Sequence, residues 1–374
     1  MRFMKTNRKV PFFDYPQVYL RDKENLLQIF DEVCSRGAFI LQKDKKQFEN
    51  NLSKFVGAKY SVGVGNATDG LEISCLAMNL KPGDEIICSS HTMIATASSI
   101  KFAGGVPVPV DIGPDGMIDP DSIIENITQN TVGIMPTQLN GRTCDMDKIN
   151  SICQKHNLFL IEDAAQSLGS KYKGKNAGTF GVAGVISFFP AKVLGSLGDA
   201  GGIITNDNDF FDKFYQLHDH GRNIDGDLKS WGKNSRLDNL QAAFLNHNLQ
   251  HHNDVILRRR EIARIYENRL SFLEELVLPP SPDFDEDHFD IYQNYEIQAK
   301  NRNELKIFLN NNGVGTLIQW GGKGVHQWEE LNFNISLPKV ELFFDNCIML
   351  PMNFFLSDDD VHYVCDKVIE YYRD

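Results

Sequence analysis

The sequence predicts an α/β protein built as a large domain on a mainly parallel sheet and a smaller α+β domain behind it. Three observations carry that expectation. The 374 residues exceed what one small core organises. Apolar strand-like runs alternate with helical patterns from Ser61 onward, and the last third loses that alternation.

The expected strands are Ser61–Gly65, Glu85–Cys88, Val106–Val110, Val132–Met135, Leu158–Glu162, Val185–Phe189 and Gly202–Thr205. Several are continuous apolar runs, the pattern of strands covered by helices on both faces. A long polar-helical stretch follows, from about Asn239 to Leu270, and then a Pro/Asp-rich segment, Pro279 to Asp287, that reads as a connection. The large domain is therefore set at residues 1–250, with an N-terminal segment 1–30, and the small domain at 251–374.

The composition is acidic, with a formal net charge of -12. That argues against nucleic acid or an anionic membrane as partner, since both favour a basic face. No apolar run approaches the roughly 18 residues of a membrane helix. Met1 to Asp14 lacks the apolar stretch of a secretion signal. The seven cysteines are scattered and form no C-x-x-C pair, which fits reduced thiols in the cytoplasm.

The chemistry concentrates in two segments. Leu158 to Asp163 is a buried-strand pattern ending in an acid, where ligands bind in open α/β sheets; helix capping is the plainer role for Asp163. Lys192 lies 29 positions later, after another apolar strand, in the segment Ser187-Phe-Phe-Pro-Ala-Lys192-Val-Leu-Gly195. One helix plus one strand separates the two, so both can return to one sheet edge. A lysine among apolar residues suits an amine that must shed its charge to attack an aldehyde. Gly63-Val-Gly65-Asn-Ala-Thr68-Asp69-Gly70 reads as a strand, a small turn and a helix start, where free N–H groups favour an anion. A lysine, an acid and a phosphate cup are the three requirements of pyridoxal 5′-phosphate (PLP), with the acid against the pyridine nitrogen.

With these residues in view, the chain resembles the DegT/DnrJ/EryC1/StrS family of PLP-dependent nucleotide-sugar aminotransferases, of the fold type I class. The matching segments are Gly65-Asn-Ala-Thr-Asp69, Thr92-Met-Ile-Ala-Thr96, Glu162-Asp-Ala-Ala-Gln-Ser167, Ser187-Phe-Phe-Pro-Ala-Lys192, Gly198-Asp-Ala-Gly-Gly202, His220-Gly-Arg222, Gly232-Lys-Asn-Ser-Arg236 with Gln241-Ala-Ala243, and Leu350-Pro351. The resemblance implies that Lys192 carries the cofactor and shuttles the proton, Asp163 pairs with the ring nitrogen, and Gln166 lies near the ring. It implies Ala67, Thr68, Asp69 and Ser187 around the phosphate, with Asn234 reaching the phosphate of a neighbouring subunit in a homodimer with shared active sites.

Where the family usually stacks an aromatic residue on the ring, this chain has Met93, so Met93 or His91 is expected to cover it. Where a His-Tyr pair is usual it reads Gln319-Trp320, followed by Lys323 and His326. His91, Arg236, Gln319, Trp320, Lys323 and His326 are the expected substrate contacts.

Three other signals carry less. His247 and His251 have metal-pair spacing but lack a third ligand, so no metal is expected. Arg258-Arg-Arg260 reads as a solvated helix face or, less readily, a diphosphate contact. Asp283 to Asp287 reads as an exposed loop.

The expected activity is transfer of an amino group from L-glutamate to a nucleotide-linked keto-deoxy sugar, at C3 or C4. The alternatives are an aminotransferase for a cyclitol ketone, an aminobenzoate synthase, and a PLP-binding regulatory protein without catalysis.

Overall fold

The structure is a computed structural model and describes residues 8–373. Residues 1–7 of the expected N-terminal segment lie outside the described residues. The large body contains β1 (Tyr60–Val64), β2 (Glu85–Ser89), β3 (Val106–Val110), β4 (Thr131–Met135), β5 (Phe159–Asp163), the short β6 (Lys171–Tyr172) and β7 (Lys175–Asn176), β8 (Ala183–Ser187) and β9 (Gly201–Thr205). Seven of them form one sheet, in the order β1-β9-β8-β5-β4-β2-β3. β9 runs antiparallel to both neighbours and the other pairings are parallel. Helices cover both faces, which is why Val62, Val64, Ile86, Ile87, Ile161 and Val185 are buried on alternating sides alike.

These seven are the expected strands, and one is displaced. β8 was expected at Val185–Phe189 and runs from Ala183 to Ser187. Phe188 N–H still donates to Ala200 O, but Phe189 N–H turns to Ser187 Oγ, which ends the pairing. Phe188 stays buried in the next layer while Phe189 is exposed. Hydrophobicity therefore overran the strand end by two residues.

The polar-helical stretch is two helices, Asn239–Leu249 and His252–Leu270. The second packs along Asp358–Arg373 and over an antiparallel sheet of β10 (Leu276–Val277), β12 (Tyr295–Ala299) and β13 (Cys347–Leu350). Tyr266, Leu270, Tyr295, Ile297, Leu309, Ile348 and Val364 form the core there, and Val10 reaches back into it. Residues 279–287 join β10 to β11 (His288–Phe289), and β11 pairs with β6. That segment returns the chain to the large body rather than leading it away.

Candidate active site

Asp163 ends β5 and is fully buried at the carboxyl edge of the sheet. Its backbone extends the ladder, with N–H donating to Pro136 O and C=O accepting from Gln138 N. Thr96 Oγ1 donates to Asp163 Oδ2 at 2.6 Å, and Thr92 and Thr137 hydroxyls continue that chain. Ala165 N–H reaches Oδ1 at 3.2 Å. Burial pushes the carboxyl pKa up, against the pull of Thr96, Ala165 and the Lys192 ammonium. Two modest donors leave such a carboxylate with capacity for a third.

Lys192 stands in the turn after β8. Burial lowers its amine to about 8, partly offset by Asp163. Asp163 and Lys192 thus feel each other inside one desolvated site. The opposite wall is the helix Ala67–Ala77, capped by Asn66 Oδ1, which accepts from Asp69 N at 2.8 Å. The N–H groups of Ala67 and Thr68 open its first turn, where no intrahelical acceptor exists. β9 presses close against that turn: a Cβ on Gly201 would stand 2.7 Å from Ala67 N. Ser187, at the end of β8, turns its hydroxyl toward Phe189 N.

Asp69 departs from its expected role. Its N–H goes to Asn66, and its carboxylate pairs with Lys233 Nζ at 3.1 Å. That leaves the N–H groups of Ala67 and Thr68 at the opening of the helix.

Two residues that sequence reasoning missed hold Lys192 in place. Gln293 Oε1 accepts from Val193 N at 2.8 Å, and its Nε2 donates to Ala191 O at 2.9 Å. One side-chain amide therefore clamps the peptide groups on both sides of the lysine. Arg259 Nη1 in turn donates to the carbonyls of Tyr292, Gln293 and Met352. Arg259 and Arg260 are both buried, and Arg260 donates to Asp290 O and Pro282 O. This corrects the solvated-face reading: only Arg258 reaches outward, to Asp358. A run of three arginines signals a surface helix unless buried carbonyls are known to face it, and those carbonyls come from distant loops.

Four of the six expected substrate contacts fall into three groups. Gln319 is buried in a polar cluster: its Nε2 donates to Asn140 Oδ1 and Glu296 Oε2, both at 3.0 Å, and its Oε1 faces Gln166 Nε2 at 3.5 Å. Gln166 also accepts from Asn140 N. Trp320 and Lys323 line a separate apolar cavity with Trp328. Arg236 pairs with Asp219 at 3.2 Å on the β1 side, next to Asn234, which is exposed, and Ser235, which accepts from Gly65 N.

Two histidines are corrected. His91 is 1% exposed, packed against Phe343 with ring centroids 4.4 Å apart, and its Nδ1 donates to Gly116 O. Its Nε2 stands 3.4 Å from the buried Glu296. His91 is thus a core residue, and Met93, at 46% exposure, is the member of that loop open to a ligand. His326 is also buried; Ser90 Oγ meets its Nδ1 at 2.6 Å and Glu341 its Nε2 at 3.2 Å. It ties its loop to the end of β2 and has no free ring nitrogen.

The family model for the DegT/DnrJ/EryC1/StrS aminotransferases matches residues 21–369. The chain belongs to this family. It is 36% identical over 97% of its length, and 99% of the relative's, to a pleiotropic regulatory protein of Geobacillus stearothermophilus. It is 35% identical, over 97% of its length and 99% of the relative's, to dTDP-3-amino-3,6-dideoxy-alpha-D-galactopyranose transaminase of Aneurinibacillus thermoaerophilus. Among solved structures it is similar to Streptomyces venezuelae DesV in complex with a ketimine intermediate, with TM-score 0.94, 29% identity, and coverage of 98% of this chain and 100% of that one. Relatives named for UDP-, dTDP- and GDP-linked sugars make this family member a nucleotide-sugar aminotransferase, and its cofactor is PLP. The residues present fit that cofactor. A buried carboxylate has room for one more donor, a desolvated amine faces it, and an open helix N-terminus awaits a phosphate.

Proposed function

We propose that this aminotransferase moves the amino group of L-glutamate to the C3 or C4 ketone of a nucleotide-linked keto-deoxy sugar. The observation that carries the reading is the pairing of Lys192 and Asp163 in one desolvated site at the carboxyl edge of β5 and β8. PLP, when bound, supplies the electron sink for charge left on the donor's α-carbon. Asp163 would hold its carboxylate toward the ring nitrogen, and the N–H groups of Ala67 and Thr68, with Ser187, would receive the phosphate. Lys192 Nζ is a base near neutral pH because burial has stripped it of solvation. It would take the α-proton from glutamate and return it two bonds away, on the far side of the transferred nitrogen; water then releases 2-oxoglutarate, and the amino group stays with the cofactor. The same nitrogen moves a proton in the opposite sense once the sugar ketone is in place, and an amino-deoxy sugar nucleotide leaves.

Gln293 and the helix His252–Leu270 keep Lys192 in register through these transfers. Gln166 and Gln319 line the polar side of the site. The transaminase relative named for a 3-amino sugar supports C3 as the position aminated. The family resemblance supports L-glutamate as donor. The seven unpaired thiols support a cytoplasmic site of action, and no helix among the described residues is long and apolar enough to cross a membrane.

A homodimer with shared sites belongs to the same proposal. The segment of residues 221–231 carries Ile224, Leu228 and Trp231, and Trp231 is 96% exposed. Apolar side chains concentrated on a projecting segment are the mark of an interface. Asn234 follows directly and is exposed, in place to reach a partner's phosphate. The regulatory name of one relative favours a non-catalytic reading, but Lys192, Asp163 and the cup are all present here.

The test is a panel. The holoenzyme is mixed with L-glutamate and, in turn, dTDP-, UDP- and GDP-linked keto-sugars or an inosose, and amino product is measured. Amination of a nucleotide-linked ketone with release of 2-oxoglutarate is expected. Amination of the inosose alone contradicts the substrate class, and no half-reaction with any amino acid contradicts catalysis.

A further inference from the structure

Where β12 meets the loops that follow β4 and β5, a buried carboxylate stands at the centre of a knot of amides. Glu296, on β12, is buried. Its Oε2 accepts from Asn140 Nδ2 at 2.7 Å and from Gln319 Nε2 at 3.0 Å, and it faces His91 Nε2 at 3.4 Å. Burial pushes the carboxyl pKa up, but His91, Asn140 and Gln319 outweigh it and hold the group below the usual glutamate range. Gly116 O makes His91 Nδ1 a donor at 3.0 Å. For Nε2 to face a carboxylate it must carry a proton too, which makes the contact an ion pair. The other titratable groups around the pair are Cys347 on β13 and, across a small cavity, Asp115, Arg142 and Asp290, where Arg142 pairs with both aspartates.

An ionised carboxylate only accepts, and that fixes the direction of the amides around it. Asn140 and Gln319 each turn a nitrogen to Glu296. Asn140 Oδ1 is then the acceptor for Asn294 Nδ2 at 2.9 Å and Gln319 Nε2 at 3.0 Å. Gln319 is left with Oε1 toward Gln166, whose Nε2 lies 3.5 Å away. Asn140 N donates to Gln166 Oε1 at 2.8 Å and fixes the other end of that amide. The Gln166 nitrogen carries two hydrogens, and the contact with Gln319 uses one. We propose that Glu296, paired with His91, is a positioning residue: it sets the direction of the Asn140–Gln319–Gln166 chain and so presents an N–H of Gln166, rather than its carbonyl, to the oxygen on the cofactor ring. The inference rests on the function proposed above, in which Gln166 lines the site, and adds what orients it. An N–H in that place favours the ionised form of the ring oxygen.

The test reads the absorbance of bound PLP in the holoenzyme across pH, with no sugar present. Gln166→Leu should move the transition up by about one pH unit, the scale of one hydrogen bond to a charged oxygen. Glu296→Gln should move it the same way. A glutamine turns its nitrogen to an unprotonated His91 Nε2, and Asn140 and Gln319 must then turn over. The double variant should shift no further than Gln166→Leu alone. Asn140→Leu breaks the chain one link on and gives the same reading should Glu296→Gln lose its fold. A merely structural Glu296 would lower Tm and leave the transition in place. The proposal is overturned if Gln166→Leu does not move the transition, if Glu296→Gln or, in its stead, Asn140→Leu keeps the parent's transition, or if the double variant shifts well beyond Gln166→Leu. A parent enzyme that aminates no nucleotide-linked ketone rejects the function above, and the absorbance comparison still judges Glu296.

Discussion

Lys192 owes its chemistry to where its amine is buried. Desolvation disfavours the ammonium, so the pKa falls from the ordinary lysine value of 10.5 to about 8, and Asp163 keeps it from falling further. The sign matters for function. At pH 7 about a tenth of the amine is free, and at pH 9 about nine-tenths, from a pKa near 8. The rate at which cofactor-free protein captures PLP should therefore rise about tenfold between pH 7 and 9 and then flatten. A rate still climbing steeply above pH 9 would mean a solvated lysine. Lys192→Ala should lower turnover by at least about a thousandfold, within the range for a positioned acid–base group. Single-turnover absorbance with glutamate checks that loss directly.

At the scale of elements, the site depends on two close approaches. Gly201 of β9 lets the sheet touch the first turn of Ala67–Ala77, with a Cβ there only 2.6 Å from Asn66 C. Gly201→Ala should shift that turn, cost about 1–3 kcal/mol as overpacking does, and weaken PLP retention more than it lowers Tm. Equilibrium dialysis and thermal melts on the same protein separate the two. Gln293→Ala removes both hydrogen bonds that flank Lys192 and leaves a part-buried N–H and C=O without that partner, at about 1 kcal/mol each. Turnover should fall while the sugar-nucleotide KM holds.

Elements also explain what the sequence made legible. The seven sheet strands announce themselves as apolar runs because both faces are buried, and the acid and lysine stand out because they end such runs. The two-residue strands β6, β7 and β11 carry no periodicity to read. His91 and His326 looked like ligand contacts because their partners, Gly116, Glu296 and Glu341, are remote in sequence. Arg259, Arg260 and Gln293 were invisible as supports for the same reason: each acts on backbone groups, which leave no mark in side-chain pattern.

At the scale of the molecule, the segment of residues 221–231 is the feature that bears on assembly. Trp231, Leu228 and Ile224 are three large apolar side chains exposed on one short segment. On the proposed homodimer, replacing Trp231 and Leu228 together by Asp should shift the protein to monomer in sedimentation and lower activity with it. Monomer with full activity would show that each chain completes its own site. The acidic composition, net -12, leaves the recognition of an anionic substrate to local cations.

The account stands on Lys192 as the cofactor's anchor. Reduce the holoprotein with borohydride, digest it, and identify the peptide that carries the pyridoxyl group by mass. The label is expected on Lys192, in the segment between Phe189 and Gly195. A label on any other lysine, or a protein that releases all its cofactor after reduction, would contradict it.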